Sequence, residues 1–144
     1  CEIYNAFGLM HPQRRARVFM VRLSLHIHFS LNLFLFSAIP SFKLLKKADE
    51  LVKKLGYEDK TKFGQLLTTD VFYGEGPGTL EWAKMGVLAV EMEASALYMN
   101  AARSGNKALA LFTVSDHIFT GEVTTSEQRQ NTFTNMMDVA LSLL

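Results

Sequence analysis

A single cysteine, Cys1, excludes any disulfide framework within the chain. Charge of one sign is also missing. The 15 basic and 14 acidic residues leave a formal net charge of +1, which carries no nucleic-acid or acidic-ligand signal. No Asp, Glu, Lys or Arg occurs from Leu23 to Phe42, and so long an uncharged stretch, flanked by Arg14, Arg15, Arg17 and Arg22, raises the question of a membrane span. His26, His28 and Asn32 inside it argue against one, and no small-residue cleavage site of a signal peptide stands out. The expectation is no membrane segment. An initiating Met is absent as well, as expected of a fragment, a processed chain or a shifted reading frame.

What is present suits one core: 144 residues, of which 49% are hydrophobic. From Leu23 to Leu35 the apolar residues fall on every second position, which is strand periodicity. His26 and His28 share one face of that stretch, but no third metal ligand accompanies them, so they read as an incidental pair. From Ser41 the pattern becomes regular. Ser41 is placed as an N-cap, Phe42, Leu45, Ala48, Leu51, Val52 and Leu55 follow at helical spacing, and Gly56 ends the run. Lys46, Lys47, Lys53 and Lys54 then read as a solvated helix face. Residues 61 to 69 predict a strand. The glycines at 74, 76 and 78 look superficially like a phosphate loop, but Pro77 lacks an amide hydrogen and no Lys-Ser or Lys-Thr pair follows. A turn before a helix starting near Thr79 is the simpler reading.

The informative stretch is Val87 to His117. Two apolar runs, Val87 to Val90 and Ala108 to Val114, flank a segment of helical spacing, and each ends in acidic residues. The pattern predicts a βαβ unit with parallel, two-sidedly buried strands and a right-handed crossover helix. If those strands are close in the sheet, Glu91, Glu93 and Asp116 converge on one crevice at their carboxyl ends. Downstream, Thr125 and Gln128 form a capping-box pattern, and Phe133, Met136, Met137, Val139, Ala140 and Leu143 supply the stripe of a last helix. Arg129 falls near its N-terminus, where the helix dipole disfavours a cation, so an anionic partner is expected. Asp116 is the candidate.

The segments VEMEASALY, TVSDHIFTGE and TTSEQRQNTF, in this order and spacing, resemble the bacterial, hexameric type of purine nucleoside phosphorylase within the nucleoside phosphorylase family. Uridine phosphorylases and methylthioadenosine nucleosidases share the Met-Glu element but differ around the aspartate. The resemblance implies an α/β fold, a partial phosphorylase-type mixed sheet flanked by helices and truncated on its N-terminal side. Residues 1–35 are then an unmatched leader, and 36–144 the C-terminal part of the domain.

The implied activity is reversible phosphorolysis of purine (deoxy)ribonucleosides to free base and (deoxy)ribose 1-phosphate. By resemblance, Glu93 accepts hydrogen bonds from the ribose hydroxyls and Met92 packs on the sugar. Phe72, Val90 and Glu91 line the purine pocket. Asp116 protonates the departing base, Ser115 supports it, and Arg129 stabilises the carboxylate afterwards. The residue types suit the chemistry, because cleavage builds positive charge on the sugar and negative charge on the base. No cofactor or metal is implied, only inorganic phosphate as co-substrate. The expected partners are nucleoside, phosphate and further copies of the chain in a hexamer, with no nucleic acid or membrane, in the cytoplasm. Family phosphate motifs match nothing around Arg14, Arg15, Arg17 or Arg22, so this chain alone is expected to be inactive. A non-catalytic remnant that binds nucleosides or pairs with full-length subunits, and a nucleoside hydrolase, are the alternatives. Taken without the resemblance, Glu93 reads equally as a helix cap, Phe72 as core and His117 as a structural hydrogen-bonding residue.

Overall fold

The computed structural model describes residues 3–8, 18–21, 37–70, 78–132 and 134–144. The alternating stretch from Leu23 to Leu35, with His26 and His28, lies outside them, as do Phe72 and the glycines at 74 and 76. Strands β1 (Ile3–Gly8), β2 (Val18–Val21), β3 (Thr61–Thr68), β4 (Val87–Glu91) and β5 (Leu111–His117) close into a barrel in the spatial order β1-β4-β3-β2-β5. The sheet is mixed. β3 runs parallel to β2 and β4, whereas β1 is parallel to β5 but antiparallel to β4, and β2 is antiparallel to β5. Helices α1 (Phe42–Lys54), α2 (Gly78–Lys84), α3 (Ala94–Arg103), α4 (Ser126–Thr132) and α5 (Thr134–Leu143) complete the α/β fold.

One expectation fails here. β4 and β5 are not neighbours: β1 lies between them, antiparallel to one and parallel to the other, so the two run in opposite senses. The helix between them, α3, is therefore not the crossover of a parallel pair. Apolar periodicity marks a buried strand without naming its neighbours, and the slot beside both is filled by β1, from the segment read above as a leader.

α1 forms as its spacing predicts, but Ser41 makes no side-chain cap; its amide donates instead to the Ala108 carbonyl at 2.8 Å. The helix start is thereby tied to the approach of β5. At the other end Gly56 takes φ +70°. Its amide bonds the Lys53 carbonyl and the Tyr57 amide bonds that of Val52, a Schellman closure that only a left-handed residue permits. Lys46, Lys47, Lys53 and Lys54 are all exposed, as a solvated face requires.

β5 separates two apolar clusters. Ala48 and Val52 of α1, Met136, Val139 and Ala140 of α5, and Leu109 and Leu111 form one; Leu66, Ala89, Ala94, Tyr98, Ala110 and Phe112 form the other. Burial on both faces therefore holds for β5. In β4 it does not hold: Val87, Ala89 and Glu91 are buried, whereas Leu88 and Val90, like Val114 of β5, are only half-buried. Leu88 lies across Gly64, where an added Cβ would meet its Cδ1 at 2.5 Å. Tyr98 stitches α3 to the residue just ahead of β5, because its buried hydroxyl accepts the Ala110 amide at 3.1 Å. Burial pushes that phenol's pKa well above its ordinary value.

Candidate active site

The site starts from an irregularity in β5. Ala6 pairs with Val114 but Phe7 pairs with Asp116, so Ser115 is one extra residue opposite β1. In a regular strand, successive side chains point to opposite faces, and a bulge is what lets two neighbours meet. Here the Ser115 hydroxyl donates to Asp116 Oδ2 at 2.9 Å. Both residues are buried.

The chain then reverses. The His117 amide donates to the Glu122 carbonyl at 2.8 Å, Gly121 (φ +68°) donates back to the His117 carbonyl at 2.9 Å, and His117 Nδ1 accepts the Phe119 and Thr120 amides at 3.3 and 3.2 Å. His117 thus builds the turn, as a structural residue. The reversal pairs Val123 with Asp116 and brings the Thr124 amide to Asp116 Oδ1 at 3.0 Å.

α4 follows, opened by the capping box the sequence predicts: the Gln128 amide donates to Thr125 Oγ1 at 3.1 Å and the Thr125 amide to Gln128 Oε1 at 2.9 Å. Arg129, in the last turn of this short helix, reaches back toward β5. Its Nη2 lies 3.1 and 3.2 Å from the two Asp116 oxygens, and its Nε donates to Thr124 Oγ1 at 3.0 Å. Asp116 is therefore the anionic partner of Arg129 as expected, but not for the dipole reason, because the last helix is split in two and Arg129 stands in the last turn of α4, where a cation is favoured. Asp116 accepts from a hydroxyl, a backbone amide and a guanidinium.

The second half of the site comes from the end of β4. Phe7 pairs with Val90 on one side and with Asp116 on the other, so these two lie level, two strand spacings or roughly 9–10 Å apart. The opposed strands still bring their carboxyl ends together, because their registers on β1 overlap there. Glu91 is 2% exposed. Its Oε1 accepts the Thr68 hydroxyl of β3, and its Oε2 accepts the Glu93 and Ala94 amides at 2.8 and 2.6 Å. Burial raises its pKa, an effect those three hydrogen bonds oppose. Met92 is half-buried, and Glu93 is exposed at the N-cap of α3 with no side-chain capping bond.

Ser115, Asp116 and Arg129 are thus in direct contact, Val90 is level with them, and Met92 and Glu93 follow from the end of β4. Glu91 is directed into the protein, and Phe72 lies outside the described residues. Sequence reading passed over two residues. Thr68 carries no local signal, being an ordinary strand threonine 23 positions from Glu91. Thr124, just ahead of the capping box, could have been suspected from the turn signal at Gly121. Among the described residues no group of three or more His, Cys, Asp or Glu side chains could hold a metal ion, and no helix is long and apolar enough to cross a membrane.

Residues 19–144 match the Phosphorylase superfamily, so the similarity begins ahead of Phe36. Several curated proteins with the name "Purine nucleoside phosphorylase DeoD-type" are similar to this chain. That of Clostridium beijerinckii is 52% identical over 110 residues, covering 76% of this chain and 46% of the relative. Those of Thermoanaerobacter sp. (strain X514) and Clostridium perfringens (strain SM101 / Type A) are 42% and 44% identical over 142 and 140 residues, which is 94% and 93% of this chain and 60% and 59% of theirs. The chain spans about half to three fifths of the length of these relatives.

Proposed function

The chain belongs to the Phosphorylase superfamily, and from that membership we propose that it forms the nucleoside-binding part of a purine nucleoside phosphorylase. The reaction is phosphorolysis of purine (deoxy)ribonucleosides to the free base and (deoxy)ribose 1-phosphate. One observation carries the reading: a nearly buried carboxylate, Asp116, held by Ser115, Thr124 and Arg129, level with the end of β4 that presents Met92 and Glu93.

Cleavage of the glycosidic bond leaves negative charge on the purine and positive charge on the sugar. Asp116 serves as the acid that delivers a proton to the imidazole nitrogen of the leaving base, with Ser115 holding it in place. Arg129 offsets the carboxylate charge that remains once the proton has gone. Glu93 holds the ribose hydroxyls while Met92 packs on the sugar. Phe72 and Val90 form the purine wall, and Glu91 contributes to it through its backbone. Inorganic phosphate is the co-substrate, and no residue of this chain is given the task of binding it. Assembly with further copies as a hexamer and a cytoplasmic location belong to the same reading.

A second reading stands beside this one, that the chain binds nucleoside without turning it over. Release of free purine and ribose 1-phosphate is to be followed for the chain itself and for a version completed with a family N-terminal half. The expected result is weak inosine binding and no phosphorolysis by the chain, with activity restored in the completed protein. In that protein Asp116→Asn lowers turnover most for nucleosides whose base leaves only when protonated. Equal losses for substrates that do and do not need the proton would remove Asp116 from the acid role.

A further inference from the structure

Glu91 is a buried carboxylate, and among the described residues it has no cationic partner. Acidic side chains are almost never fully buried unless paired, yet Glu91 is 2% exposed and its partners are a hydroxyl and two backbone amides. Those amides belong to the N-terminal end of α3, where donors have no intrahelical acceptor and an anion is favoured. The side chain of an N-cap residue reaches the amides of the second and third helical residues, whereas Glu91 holds the two ahead of them, those of the N-cap residue and of the first helical residue. In α3 the N-cap is Glu93, and its side chain makes no capping bond and is exposed.

We propose that Glu91 is a positioning residue that caps the start of α3 from the end of β4, holding the Met92–Glu93 turn against β3 while the Glu93 carboxylate stays available to a ligand's hydroxyls. This rests on the reading of Glu93 as the ribose-hydroxyl acceptor.

The arrangement explains why both oxygens of Glu91 are engaged. Oε2 gathers the Glu93 and Ala94 amides, which orients the peptide carrying Glu93, while Oε1 anchors the carboxylate to Thr68, itself paired in register with Glu91 across the β3–β4 ladder. The Thr69 amide donates to the Glu91 carbonyl at 3.0 Å, so backbone and side chain of Glu91 are both tied to the end of β3. A residue that caps from within the strand fixes the turn without occupying the mouth of the site. Glu93 also adds to the upward shift of the Glu91 pKa through its own charge, as expected of two carboxylates at one turn.

The test uses the isotope-labelled chain and two probes, inosine and 2′,3′-dideoxyinosine. Glu91→Ala is expected to lower hydrogen-exchange protection of the Glu93 and Ala94 amides at least tenfold. It should also abolish the preference for inosine to the same extent as Glu93→Ala, with no further loss in the double variant. Glu91→Gln, whose amide oxygen accepts the two N–H groups while its NH2 donates to the Thr68 hydroxyl, keeps both protection and preference. Unchanged protection in Glu91→Ala overturns the capping role; lost protection with the preference intact overturns the positioning role. If Glu91→Ala does not fold, loss of the preference in Glu91→Gln despite intact protection overturns it equally. A parent chain that binds neither probe refutes the nucleoside half-site, and the exchange measurement then decides the capping by itself.

Discussion

Replacing Arg129 and Asp116 together should cost the fold less than the sum of the two single replacements, and the difference measures the ion pair. Arg129 lies 3.1 Å from Asp116, with side-chain exposures of 39% and 10%. Two unit charges about 4 Å apart at an effective dielectric of about 20 attract by about 4 kcal/mol. Exposure of the guanidinium and the entropy of holding it reduce the net coupling to about 0.5–1 kcal/mol. In Arg129→Met the carboxylate keeps the Ser115 hydroxyl and the Thr124 amide, so the single variant loses about 1–3 kcal/mol, the usual cost of a charged group deprived of one partner. Asp116→Asn keeps an acceptor for Thr124 but turns a neutral group toward the guanidinium. The double variant should therefore be more stable than the sum of the two losses predicts, by the coupling energy. Urea unfolding of the four proteins, followed by circular dichroism, yields that number provided the slopes agree. Additivity within about 0.3–0.5 kcal/mol would refute an energetically meaningful pair.

Three other changes probe the scaffold that carries the site. Gly64→Ala places a Cβ 2.5 Å from Leu88 Cδ1 and should destabilise by about 1–3 kcal/mol through overpacking; calorimetric melting should show the loss largely relieved in a Gly64→Ala, Leu88→Ala double variant, and no relief would point to a backbone cause. Tyr98→Phe strands the Ala110 amide, which is bonded at 3.1 Å in a buried setting, at a cost of about 1–3 kcal/mol; denaturation midpoints equal to the parent's would contradict this. Burial raises the folded-state pKa of Glu91 above its ordinary 4.5. Its contribution to stability is thus fully present below that pH and is lost as pH rises through the folded value, because the native chain holds a proton the unfolded chain has released. Glu91→Gln should flatten that segment of the stability–pH curve, and an unchanged slope would show that another group sets it.

Local chemistry was legible in the residues alone. The α1 stripe with its Gly56 stop and the Thr125–Gln128 capping box involve groups within a few positions of one another, where helix geometry determines who meets whom. Membership of the family was legible too, because VEMEASALY and TVSDHIFTGE occur together in one chain. Tertiary structure decided the rest. It placed β1 between β4 and β5, inserted the bulge that turns Ser115 onto Asp116, folded the Thr124 amide under the carboxylate, and set the buried Glu91 carboxylate on the first amides of α3. Periodicity says which residues of a strand are buried, but strand neighbours and registers are chosen by pairings as distant as Phe7 with Asp116. No local pattern encodes such a pairing, and a one-residue shift in it reverses the face on which every carboxylate stands.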